Sequence, residues 1–228
     1  MPASGFKASR TAFHRLRSIP NLPGALLTHT EIYFVRHGQS IHNLQQTIAG
    51  QLDSELTDLG FEDARHVART IGRRDFDVIY SSDLLRARQT ADTIIQTLDL
   101  DCPVQLSPLL RELDYGQFTA KAVAAAFRFL NYKHRPAERY PGGEGFLDLE
   151  ERVGRFLRQM LAEAGGRRIL ITAHAGSIRL IAMLLDATHK QEHLDRAYSN
   201  RFLGKAVIDE SGGLVSLVVL QNPERGGF

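Results

Sequence analysis

Cysteine is nearly missing from this 228-residue chain, in which Cys102 stands alone. An intramolecular disulfide and a cysteine-rich metal site are thereby excluded, and a single thiol fits a reducing compartment. Long apolar runs are missing too: polar residues interrupt every hydrophobic stretch well short of the roughly 20 residues a membrane-spanning helix needs. There is no Walker loop and no G-x-G-x-x-G, so nucleotide binding through those devices has no support. Internal repeats and low-complexity segments are absent. Acidic residues are absent from positions 1–30, which carry Lys7, Arg10, Arg15 and Arg17. The rest of the chain then holds 24 basic against 26 acidic residues, so the apparent basicity belongs to a tail. A nucleic-acid binder needs a basic face on its folded domain, which this balance does not supply. Residues 1–30 read as a flexible basic extension; a basic, acid-free segment with Ser and Thr also matches an organelle-targeting sequence, and a cytoplasmic location is the expectation. Residues 31–228 are of a length that suits one hydrophobic core and a single catalytic domain.

What is present alternates. Residues 31–35 (Glu-Ile-Tyr-Phe-Val) read as a buried strand ended by Arg36-His37-Gly38. Thr57 reads as the N-cap of a helix with an apolar stripe at Phe61, Ala64, Val67, Ala68 and Ile71. A strand follows at 77–80, then a helix capped by Ser82 or Asp83 and running to Leu98, and a weaker strand at 103–106. The polar segment 112–145 holds one short helix at 122–130. A helix at 146–163, a strand at 168–172, a helix at 176–185 and a hairpin at 205–209 and 214–220 complete the pattern. Alternating strands and helices predict a three-layer α/β/α domain with a mostly parallel central sheet, whose ligands gather at the carboxyl ends of the strands.

Reactive residues lie where those strands end. Arg36 and His37 leave the first strand, Arg86 opens the helix after the second, Glu112 follows the third, and His174 leaves the strand at 168–172. Two arginines, two histidines and a carboxylate suit phosphoryl transfer without a metal. Arginine's fork binds phosphate oxygens and keeps its charge, and a nearby arginine disfavours imidazolium, so His37 stays neutral and nucleophilic. Glu112 is the candidate acid and base for the leaving oxygen and the hydrolytic water, with Asp114 and Glu144 as neighbouring carboxylates that could do the same work. His174 is a candidate donor to the phosphoryl oxygens. No metal and no cofactor are expected.

The same residues carry a resemblance. Phe34-Val35-Arg36-His37-Gly38-Gln39-Ser40, with Asn43 beyond, resembles the signature of the histidine phosphatase superfamily, in the branch of the cofactor-dependent phosphoglycerate mutases and fructose-2,6-bisphosphatases. The match continues through residues 50–57, through 81–91, through Glu112-Leu113-Asp114-Tyr115-Gly116, Pro141-Gly142-Gly143-Glu144 and Thr172-Ala173-His174-Ala175-Gly176. It implies a phosphoglycerate mutase-like fold, a phosphohistidine at His37, acid/base work by Glu112, and phosphate binding by Arg36, Asn43, Arg86 and His174. Two departures, Gln117-Phe118-Thr119-Ala120 after Gly116 and Ala175-Gly176 after His174, touch the pocket's shape. Resembling mutases carry a longer insertion between the acid and the second histidine and a Gln-Gly-Leu-Asn segment. Here 62 positions separate Glu112 from His174 and that segment is missing, which points to a phosphatase of small phosphorylated metabolites. A mutase, an inert phospho-ligand-binding relative and a protein-phosphohistidine phosphatase are the alternatives. The partner expected is a small phosphorylated substrate, with no nucleic acid and no membrane; the oligomeric state is left open.

Two further features compete for notice. His189-Lys190-Gln191-Glu192-His193 has the H-x-x-E-H spacing of inverted zinc peptidases, but its neighbours Asp195 and Arg196 give it the composition of an exposed helix face. Arg128, Lys133, His134, Arg135 and Arg139 either greet a second anionic group or form a solvated surface.

Overall fold

In the computed structural model, residues 29–126 and 135–223 are described. Among them, β1 (His29–Arg36), β2 (Val78–Ser81), β3 (Val104–Leu106), β4 (Arg168–Ala173), β5 (Leu203–Asp209) and β6 (Leu214–Gln221) form one six-stranded sheet in the order β3-β2-β4-β1-β5-β6. β3, β2, β4 and β1 are mutually parallel, and β5 and β6 add an antiparallel edge. Helices α2 (Asp58–Ile71) and α3 (Leu85–Leu98) cover one face; α4 (Phe146–Glu163) and α5 (Ala175–Leu185) cover the other. The alternation of β1 fixes this division. Ile32 and Phe34 pack with Val153 and Phe156 of α4 and Ile178 of α5. Tyr33 and Val35 pack with Val67 and Ile71 of α2 and Ile94 of α3. Both faces of the central strands are buried, the usual condition of parallel sheets.

The expected strands and long helices are present, with differences at their ends. β1 begins at His29, so the boundary drawn at residue 30 falls inside a strand; residues 1–28 lie outside the described part. Thr57 does cap α2, its hydroxyl accepting the Gly60 N–H at 3.1 Å. The cap of α3 differs from expectation. Asp83 is bound by Arg111, and the Ser82 hydroxyl faces His174, so neither caps the helix end. The Leu85 N–H is met instead by Asp53 at 2.8 Å, from a loop 32 residues earlier. The short helix expected at 122–130 is a 3-10 turn at Val123–Ala126, and its remainder lies outside the described residues. Of two shorter helices, α1 (Ile41–Leu44) follows β1 at the sheet's upper edge, where the parallel strands end, and α6 (Lys190–Asp195) packs against α5.

Because β4 lies between β1 and β2, the chain segments leaving these three strands emerge side by side. The loop after β1 is clamped by a backbone-to-backbone contact with α2. A Cβ at Gly60 would stand 2.1 Å from the Gln39 carbonyl oxygen, and one at Gly38 would stand 2.1 Å from the Gly60 carbonyl oxygen. In an ordinary helix interior Gly→Ala adds about 1 kcal/mol of stability. Here Gly60→Ala is expected to do the reverse, lowering unfolding stability in urea by about 1–3 kcal/mol, the range of forced overpacking. The exposed helical substitution His66→Ala is expected to stay within about 0.5 kcal/mol.

Candidate active site

The edge so formed opens into a cavity of about 480 Å³, lined by Arg36, His37, Arg86 and Glu112 together with Asn43 and Asn200. His37 is almost fully buried, at 4 % exposure. Its Nδ1 lies 2.8 Å from the Gly38 carbonyl oxygen, which can only accept, so Nδ1 carries the proton and Nε2 the lone pair. Arg86 Nε donates to that lone pair at 3.3 Å. Burial, and then the charges of Arg86 and Arg36, hold the His37 pKa well below the ordinary histidine value. The ring is neutral at neutral pH.

Arg86 and Arg36 are both buried. Desolvation, tempered by Glu112, brings each guanidinium down to about 10, so both stay charged at neutral pH. Arg86 directs Nη1 to the Leu52 carbonyl and Nη2 to the Gly50 carbonyl, each at 2.8 Å. Among the described residues, two of its five N–H groups remain for another acceptor. Arg36 Nη1 donates to the Tyr198 carbonyl. Two buried cations beside neutral imidazoles make a site for an anion.

His174 lies between them in the sheet order and is fully buried, its ring centroid 5.1 Å from that of His37. Burial comes first, and Arg86, His37 and Arg36 follow, in holding its pKa well below the ordinary value. Nε2 lies 2.8 Å from the Ser82 hydroxyl, and Nδ1 has no hydrogen-bond partner among the described residues. Glu112 is fixed by backbone donors, Oε1 accepting Leu113 N–H at 2.9 Å and Oε2 accepting Gly176 N–H at 3.1 Å. The two competing carboxylates are otherwise engaged. Glu144 takes a two-pronged contact from Arg152 and the Asp114 N–H, while Asp114 accepts from Gly116 N–H. Glu112 is thus the carboxylate of the three that lines the cavity. Asn43 Oδ1 accepts from Ser40 N–H and from Asn200, which fixes its amide so that Nδ2 is the side left to donate.

All six residues singled out from the sequence therefore meet at one cavity or its buried floor. Others were missed. Asn200 Nδ2 donates to the His37 carbonyl at 2.9 Å and to Asn43, from an aperiodic segment with no sequence signal. Arg152 of α4 holds the carbonyls of Leu109, Arg111 and Glu112 and so places the Glu112 loop; in the sequence it reads as a polar-face arginine. The H-x-x-E-H segment is the exposed helix face its composition suggested at His189, Lys190, Gln191 and Glu192, but not at His193. His193 is buried and, with His189, reaches Asp186 Oδ2, because that carboxylate closes the end of α5 beneath it. Among the described residues no group of three His, Cys, Asp or Glu side chains is arranged to hold a metal, and no helix is long and apolar enough to cross a membrane. Arg135 and Arg139 pair at the surface with Glu138 and Asp148; Arg128, Lys133 and His134 lie outside the described residues.

Comparison with known proteins adds four findings. A family model described as the histidine phosphatase superfamily (branch 1) matches residues 32–220. A 2,3-bisphosphoglycerate-dependent phosphoglycerate mutase of Methylocella silvestris is 36% identical over 166 residues, 68% of this chain and 81% of that protein. A metal-independent phosphoserine phosphatase of Arabidopsis thaliana is 33% identical over 165 residues, 67% of each chain. Among solved structures, a phosphoglycerate mutase from Bacillus anthracis superposes with a TM-score of 0.69 at 20% identity, covering 86% of this chain and 93% of that one, a likeness of fold.

Three histidines with depressed pKa, the buried His37 and His174 and the partly buried His42, make stability depend on pH. Below about 6.5 the unfolded chain takes up protons at His37 and His174 that the folded protein refuses, so stability falls as pH falls from there. Each contributes a slope of up to about 1.4 kcal/mol per pH unit. The carboxylates with lowered pKa, such as Glu31 and Asp83, act at more acid pH. Urea unfolding between pH 5 and 6.5 is expected to show this slope, and His37→Asn to reduce it.

Proposed function

Because this chain belongs to the histidine phosphatase superfamily, branch 1, we propose that it hydrolyses phosphomonoesters of small metabolites without a metal, through a phosphohistidine at His37. The observation that carries this reading is the state of His37: neutral, with Nδ1–H tied to the Gly38 carbonyl and the Nε2 lone pair at the cavity floor between two buried guanidiniums. A phosphoryl group bound by Arg36, Arg86, His174 and the Asn43 amide would meet that lone pair. As it does, the Arg86 Nε–H leaves Nε2 for a phosphoryl oxygen. The Nε2–P bond forms, the bond from phosphorus to the ester oxygen breaks, and Glu112 gives its proton to the departing oxygen. The Glu112 carboxylate then takes a proton from water, whose oxygen attacks phosphorus. The P–N bond breaks, and His37 regains its lone pair. Charge spread over the equatorial oxygens is met by the arginines, the task a metal ion performs in other phosphoryl transferases.

Similarity to a relative named as a metal-independent phosphoserine phosphatase makes phosphoserine the first substrate to try. Similarity to a named mutase keeps phosphoryl exchange as the second reading. The 62 positions between Glu112 and His174 favour hydrolysis, since they leave little chain to cover a phosphoenzyme from water.

The test is phosphate release from a panel of phosphomonoesters in EDTA, beside His37→Ala, with radiolabelled phosphoenzyme trapped by rapid quench. Turnover that survives chelation and is lost in the variant, with label on His37, is the expected result. Isomerisation of phosphoglycerate without net phosphate release would establish the mutase instead, and binding without label would indicate an inert module.

A second expectation concerns the acid. A Cβ at Gly176 would stand 2.2 Å from Glu112 Oε1. Gly176→Ala should displace the carboxylate and lower kcat for an alkyl phosphate by about a hundredfold, the low end of general acid catalysis. With p-nitrophenyl phosphate, whose leaving group needs little protonation, the loss should be clearly smaller.

A further inference from the structure

We infer that Ser82 is a positioning residue that fixes His174 as its Nδ1–H tautomer, so that the ring presents a donor and not a lone pair to the bound phosphoryl group. The inference rests on the reading above, in which the anion sits against His174.

A neutral imidazole has one N–H and one lone pair, and the nitrogen that carries the proton is decided by what the other one meets. For His174 one partner is present: Nε2 lies 2.8 Å from the Ser82 hydroxyl oxygen. The ring is neutral because it is buried beside the Arg86 and Arg36 charges. The direction of the bond to Ser82 then follows from the other contacts of that hydroxyl. Ser82 is itself fully buried and pinned by its backbone, the N–H donating to Thr172 O at 3.0 Å and the carbonyl accepting from the Ser81 hydroxyl at 2.8 Å. Its own oxygen accepts the Leu84 N–H at 3.3 Å. Among the described residues the one acceptor within reach of the Ser82 O–H is His174 Nε2. The hydroxyl therefore donates to Nε2, and the proton of the ring resides on Nδ1.

The opposite arrangement fails twice. With the proton on Nε2, two donors would crowd the Ser82 oxygen while its own proton found no acceptor in a buried site. Nδ1 would also carry a lone pair into a site built for an anion, where it repels a phosphoryl oxygen. The assigned tautomer removes both problems. It also accounts for the buried Nδ1 having no hydrogen-bond partner among the described residues. A phosphoryl oxygen would satisfy it. Ser82 and Arg86 leave the same strand four residues apart, so one turn of chain places an arginine on the anion and sets the proton of the histidine beside it.

The test begins with the free wild-type protein, labelled with 15N-histidine, in a long-range proton–nitrogen correlation spectrum at neutral pH. His174, assigned with His174→Gln, is expected to show a protonated Nδ1 and an unprotonated Nε2. Ser82→Ala should move the ring to the Nε2–H form or a mixture. It should also weaken inhibition by orthovanadate, and lower kcat/KM, by roughly ten- to a hundredfold, below the loss of a whole oxyanion donor. In a His174→Gln background the same substitution should change either quantity by less than about twofold, because its effect passes through the ring. An Nε2–H ring in the wild type overturns the inference. So does an equal loss from Ser82→Ala in both backgrounds, the result of a merely structural role. If the wild type hydrolyses no phosphoester yet binds orthovanadate in a Ser82-dependent way, the tautomer assignment stands and the hydrolase reading falls.

Discussion

Two guanidinium groups, Arg36 and Arg86, are kept charged almost out of reach of water, and much of the chain at the sheet's upper edge is arranged around them. Removing a cation from water is unfavourable by several kcal/mol unless polar groups replace the lost solvent. For Arg86 these groups are the carbonyls of Gly50 and Leu52, which draw an irregular loop over the cavity. For Arg36 one of them is the Tyr198 carbonyl, which brings in the segment between α6 and β5. Neither loop contributes to the sheet, and both are held by the charges they solvate. The same segment supplies Asn200 to the carbonyl of His37, so the nucleophile candidate and the cation beside it are positioned together.

Burial first, and those charges with it, decide the state of the histidines. A lone buried imidazole is pushed toward neutrality by desolvation; here two nearby cations push the same way. What remains is which nitrogen holds the proton, and that is settled locally, by the Gly38 carbonyl for His37 and the Ser82 hydroxyl for His174. The sheet order makes this compact. With β4 inserted between β1 and β2, the two histidines leave neighbouring strands and Arg86 comes from the next, so no long loop is needed to assemble the set.

Much of this was legible in the sequence, for a physical reason. β1 and the amphipathic helices α2 and α4 announce themselves because burial repeats with the period of the element, and α4 runs over the interval read from its apolar spacing. The six candidate residues could be picked out because they sit at strand ends or in short segments where chemistry and position coincide. Roles made by distant contacts were not. Ser82 and Asp83 look like helix caps until His174 and Arg111 claim them, and the true cap, Asp53, lies 32 residues away. Arg152 and Asn200 belong to no local pattern. Preferring Glu112 over Asp114 and Glu144 as the candidate acid needed the observation that, of the three, Glu112 lines the cavity.

The contact between Arg86 Nε and His37 Nε2 gives the site its last property. A neutral nucleophile facing an open cavity could be protonated by any passing acid, and imidazolium cannot attack phosphorus. Arg86 caps the lone pair with a donor that does not surrender its proton near neutral pH, since its own pKa lies at about 10. The cap is displaced only by a better acceptor for the guanidinium, and a phosphoryl oxygen is such an acceptor, being anionic and of matching geometry. In the hydrolysis proposed here, arrival of the substrate would therefore expose the nucleophile it needs. A neutral ligand offers the guanidinium no such exchange, so in that proposal selection for phosphate would begin with the group that guards the histidine.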